Sequence, residues 1–304
     1  MANILISEFM AHAPTSPRVI KAISRMNFIH NKYQKAGKIS NDDMMYTLSV
    51  FLTEPVVWIK RMEWRSMTPM EVCATGTFWK SIGDAMGIDY HPLSRYEEGW
   101  QDGIEFYNDL KRWADAYEEK CMVPAKSNNI VAGETVALLL TWTPNMAREA
   151  GLKVICAIMP DHLRAAMMFA TPPSLYFSLV NAILSTRSFV LRYLWLPRPD
   201  FLKIRMVVDD PDSKTGRLYT KDYLAHPFYL KPNFFNRWGP EALMVRFMGG
   251  DVPGEKGDLY SPHGFTFEEV GPRNMAGKGK DEMGKTEELL QKTRTNGCPF
   301  AFSG

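Results

Sequence analysis

Few side chains in this sequence are placed to do chemistry, and the best placed is His30, in the stretch RVIKAISRMNFIHNKYQKAG (residues 18–37). Val19, Ile23, Met26, His30 and Tyr33 recur at steps of three and four, so a helix carries them on one face. That face is apolar apart from the imidazole, and the spacing predicts a ring aimed inward. Two chemistries suit such a ring. In the first it is a core histidine whose nitrogens meet a carbonyl or hydroxyl, because leaving one unmet costs ~1–3 kcal/mol. In the second it is the single axial ligand of a haem iron, which needs no second His or Cys nearby. Spacing does not choose between them.

The remaining reactive residues do not assemble into sites by pattern. Cys73, Cys121, Cys156 and Cys298 are far apart and form no C-x-x-C pair, which argues against zinc or a disulfide framework and for a reducing compartment. Glu118 and Glu119 are adjacent and point apart on a helix. His162, between Asp161 and Arg164, reads as an exposed or capping residue; His226 and His263 sit beside prolines in loops. The formal net charge is +2 with no basic run, so no nucleic-acid partner is expected. Nineteen methionines suit either an ordinary helical core or the wall of an apolar pocket.

The elements that must position His30 are helical. After the Gly37 break, Ser40 and Asp43 approximate a capping box for a helix through Met44, Met45, Leu48, Phe51 and Leu52, which Pro55 bends or interrupts. Thr68, Pro69 and Glu71 start the next helix, with Gly76 and Gly83 on one line, there to admit a neighbouring helix or a flat ligand. Ser94 and Glu97 form a further box, ahead of an amphipathic helix through Trp100, Ile104, Tyr107, Leu110 and Ala114. Pro160 splits a helical stretch from about residue 146 to 170, with Leu163, Met167 and Met168 inward. Residues 174–196 form the most apolar helix; Arg187 and Arg192 each oppose a membrane span by ~2.5–3.5 kcal/mol near the bilayer centre. A buried bundle helix, or one lying on a membrane surface, fits it better. The opening MANILISEFMAHAP has neither a basic start nor a long apolar run, so no leader or anchor is read there.

The runs RMNFIHNKY, GKISNDDMMYTLSVFLTEPVVWI, EWRSMT and EVCATGTFWKSIGDAMGI resemble the catalytic domain shared by the MpaB-type ER-bound oxygenases of fungi and the bacterial rubber oxygenases. MVPAKSN, LAHPFYLKP, RWGP and GDLYSPHGFTFEEVGP extend the resemblance over most of the chain. It implies an all-helical fold holding haem b, with His30 as the iron's axial ligand. It also implies dioxygen-dependent cleavage of a C=C bond in an apolar unsaturated or isoprenoid substrate, and an ER-associated setting with peripheral membrane contact. The family's distal Arg and Thr, with a Lys in the rubber-cleaving members, lie on an upstream helix that would match at or before Met1. Arg18 and Lys21 are too close to His30 to stand in for them. The chain therefore reads as an N-terminally shortened member, cytoplasmic if the anchor is absent. Two alternatives are kept: a non-catalytic homologue that binds haem or an apolar ligand, and a structural helical protein with His30 in its core.

The expected architecture is all-α: a multi-helix bundle with a Gly/Pro-rich irregular C-terminal region. Residues 1–198 are expected to form the haem-binding helical domain and residues 199–270 an irregular extension wrapped on it. Residues 271–304 read as a polar disordered tail with at most a short helix at 286–292.

Overall fold

The computed structural model describes residues 2–199, 206–208, 210–223, 225–294 and 300. Among them the fold is all-α, and extended backbone pairs only in isolated bridges, such as Leu218 with Phe265. The chain divides into two compact units.

The first unit comprises Met1–Glu118 and Thr266–Gly304. Helix α1 (Ala2–Ala11) packs on α2 (Pro17–Lys35) and buries Ile4, Leu5 and Phe9. Glu8, fully buried with them, is held by Arg18 at 2.6 Å. Ser16 caps α2. Ser40 and Asp43 close the anticipated box on α3 (Asn41–Met62), and Thr68 with Glu71 does the same for α4 (Pro69–Ala85). Pro55 does not interrupt α3, which runs past it to Met62.

Helix α5 (Gly103–Cys121) starts later than its pattern suggested. Residues 94–102 are turns, Asp102 receives the first free backbone N–H groups, and Ser94 donates to buried Asp109 instead of capping a helix. The two α4 glycines serve packing: a Cβ at Gly76 would overlap the Gly103 carbonyl, and one at Gly83 would overlap the Tyr90 hydroxyl and crowd Leu48.

The C-terminal residues correct the expectation of a disordered tail. Helix α12 (Lys280–Thr293) packs on α2 with Met283 and Leu290 buried. The reason lies far away in sequence. Fully buried Arg25 donates to the carbonyls of Val270 (2.8 Å), Lys278 (2.7 Å) and Met275 (2.9 Å), tying a Gly-rich segment of little apolar content to the core.

The second unit is Glu119–Phe265. It contains α6 (Lys126–Leu139), α7 (Arg148–Ile158), α8 (Asp161–Ala166), α9 (Ser174–Tyr193), α10 (Phe234–Trp238) and α11 (Pro240–Phe247). Pro160 separates α7 from α8 as expected, whereas Met168 takes a left-handed conformation and lies exposed. Helix α9 packs along α7 but buries only Val180, which removes the buried-bundle reading of this segment. Leu175, Leu179, Ile183 and Phe189 of α9 are exposed, as are Phe234, Phe235, Trp238 and Phe247 on α10 and α11.

Candidate functional site

Helix α2 carries Val19 and Ile23 fully buried and Met26 nearly so; His30 and Tyr33 on the same line are half-buried. The face thus points inward as its spacing requires and opens toward its C-terminal end, where the imidazole stands. Nδ1 of His30 is shut away from solvent and has no hydrogen-bond partner. Burial pushes the imidazole below its ordinary value of 6.5, so the ring is neutral at pH 7. A neutral ring with a free nitrogen is the form in which histidine can ligate a metal, and buried Ser24 Oγ and Tyr90 Oη are left unmet in the same way.

The flank of α2 next to that line borders the larger of two described clefts, with a volume of about 1200 Å³. Asn27, Asn31 and Gln34 of α2, the Cys73–Ala85 side of α4 and the last turn of α12 form its walls. His30 is not among its lining residues, nor among those of the smaller cleft of about 580 Å³ at the α3–α4 junction. Arg294 closes one end of the larger cleft. It donates to Ser81 Oγ at 2.7 Å, while its Nη1 is buried and unpartnered. Lys80 and Asp84 form an ion pair beside it, at 2.7 and 2.9 Å. Nothing in the sequence pattern singled out Arg294, because it follows a stretch read as loose tail.

Other candidates resolve into structural roles. Cys73, Cys121 and Cys156 are free thiols, and Cys298 lies outside the described residues. No group of three or more His, Cys, Asp or Glu among the described residues could hold a metal ion by itself. His162 is exposed. In the second unit His226 stacks on Tyr260 with ring centres 5.3 Å apart, and Asp251 accepts from the Tyr260 hydroxyl and from Lys256 at 2.7 Å. Burial and this carboxylate push the Tyr260 phenol up to about 12. The cluster lines neither described cleft and reads as a clamp joining two loops.

Taken together these features define an all-α protein whose first unit holds a neutral, unpartnered imidazole. The sequence comparisons narrow the class: this chain belongs to the MpaB-type family of ER-bound oxygenases. It is 39% identical over 296 residues to the ER-bound oxygenase mpaB' of Penicillium brevicompactum, spanning 97% of this chain and 70% of that protein. To the ER-bound oxygenase mpaB of the same organism it is 34% identical over 271 residues, spanning 89% of this chain and 62% of the relative. To mpaB of Penicillium roqueforti (strain FM164) it is 40% identical over 165 residues, spanning 54% and 55%. No protein-family model matches the chain, and no solved structure matches it.

Proposed function

We propose that this chain is an oxygenase that binds haem b through His30 and uses dioxygen to cleave a C=C bond in an apolar unsaturated or isoprenoid substrate. The oxygenase class is supported by the names of its relatives. The haem assignment is supported by one observation above others, the buried and unpartnered Nδ1 of His30. When bound, haem supplies the dioxygen chemistry that protein side chains lack. His30 would hold the iron, with a ring that burial keeps unprotonated. Val19, Ile23 and Met26 keep water from the inner part of the same face.

The test is reconstitution of the purified chain with haemin. A Soret band that His30→Ala abolishes or strongly shifts, together with oxygen uptake on squalene, is the expected result. A His30-dependent Soret band without oxygen uptake identifies a haem-binding homologue instead. Absence of any His30-dependent band returns His30 to the core.

A peripheral membrane setting is supported by the relatives' description as ER-bound and by the uncovered apolar faces of α9, α10 and α11. Helix α9 is long and apolar enough to cross a membrane by length and composition, with Arg187 and Arg192 within it. An interfacial placement needs neither arginine to enter the hydrocarbon. The chain should co-sediment with phosphatidylcholine/phosphatidylserine vesicles, and Phe235→Asp combined with Phe247→Asp should weaken that binding about tenfold or more. Equal binding by the double variant would remove α10 and α11 from the contact.

A further inference from the structure

The cleft between α2, α4 and α12 has features that packing alone does not explain. Its volume, about 1200 Å³, exceeds the roughly 300–1,000 Å³ typical of small-molecule sites. Along its walls Met70, Ala74, Phe78 and Leu289 offer apolar surface, and Met70 and Leu289 are exposed, with no protein side chain covering them. At the Arg294 end the chemistry changes. The Asp84 carboxylate is hydrogen-bonded to Lys80 and also acts on the Arg294 guanidinium, so the three groups together carry one net positive charge. That guanidinium has one hydrogen bond, to a neutral hydroxyl, and one nitrogen cut off from both water and protein. A buried unmet donor is unfavourable, and a small turn of a long side chain toward an anion in the cleft would relieve it.

From this juxtaposition we propose that the cleft binds a long-chain monocarboxylate, its head group on Arg294 and its hydrocarbon along Phe78, Ala74 and Met70. A small inorganic anion would leave the apolar walls wet, and a neutral hydrocarbon would leave the guanidinium unmet. The inference is independent of the haem reading, because His30 does not line the cleft.

The test is calorimetric titration of the full chain, without haem, with sodium dodecanoate and with 1-dodecanol, both below their aggregation limits. Dodecanoate should bind about tenfold or more tighter than the alcohol, because a carboxylate pairs with guanidinium through charge-assisted bonds. Arg294→Gln should reduce that preference to within about threefold, and Arg294→Lys should retain part of it. Ala74 is exposed, so Ala74→Trp fills the cleft without entering the core and should abolish binding of both ligands. If Arg294→Gln loses its near-ultraviolet dichroism, the Ala74→Trp result decides alone. No binding, equal affinity for acid and alcohol, a preference that survives Arg294→Gln, or unchanged binding in Ala74→Trp would each overturn the proposal.

Discussion

Two residues of the first unit show how the same burial can serve opposite ends. His30 is half-buried, with Nδ1 shut away from water and given no partner, so its charged form is disfavoured and the ring is neutral at pH 7. Asp109 is almost fully buried as well, but it accepts from Ser94 Oγ (2.5 Å), the Arg95 backbone (3.0 Å) and Trp100 Nε1 (3.0 Å), with Arg112 at 3.1 Å. Burial alone would raise its carboxyl; the donors outweigh it and hold the group below the ordinary carboxylate range. A depressed carboxylate contributes stability that is present above its unfolded value of about 3.9 and is lost as pH falls through the folded value. Asp109→Asn should therefore cost about 2–4 kcal/mol at pH 7 in urea unfolding, and the gap to wild type should narrow between about pH 4 and pH 2. A gap that stays constant with pH would assign the loss to shape and not to charge. His30 was legible from its spacing. Asp109 was not, because its donors come from turns that carry no periodic signal.

Helix starts were the most readable elements, since a cap needs only residues three apart. The Ser40–Asp43 and Thr68–Glu71 boxes form as written, while the Ser94–Glu97 pair does not, because Ser94 is drawn to Asp109 instead. Glycine was readable as a close approach but not as to what approaches. At Gly76 the neighbour is the backbone of Gly103, which cannot swing aside as a side chain would. Gly76→Ala should cost about 1–3 kcal/mol and lower the thermal midpoint. Gly133 lies inside α6 with open space where a Cβ would go, and Gly133→Ala should stabilise by about 0.5–1 kcal/mol. The same substitution thus changes sign between two helices, and paired melting curves check it. Gly76→Ala melting like wild type would mean that α4 and α5 can part at that contact without loss.

At the scale of the whole molecule, the first unit is closed by its own C-terminal segment. Arg25 bonds three carbonyls that lie 245 to 253 residues away, and no local pattern announces such a contact. Arg25→Met should leave those carbonyls unmet at about 3–5 kcal/mol. Its signature would be a lower urea midpoint with new chymotryptic cleavage between residues 271 and 294, and Arg25→Lys should fall between the two. If cleavage there is unchanged, the segment is held by Met283 and Leu290 alone. The two-unit division was likewise invisible in composition. The shift toward Gly and Pro near residue 199 lies inside the second unit.

By itself the sequence determined the helical class, the main caps, the inward aim of His30 and, through long matching runs, the family. These depend on neighbours within a few residues of one another, so they can be read along the chain. Only the tertiary structure decided that His30 keeps an unmet nitrogen, that α9 lies uncovered, that residues 271–294 are ordered, and that Arg294 faces a cleft beside Ser81 and Asp84. Each of those turns on what distant residues bring to a buried group, and desolvation is a property of the assembled surroundings rather than of the residue.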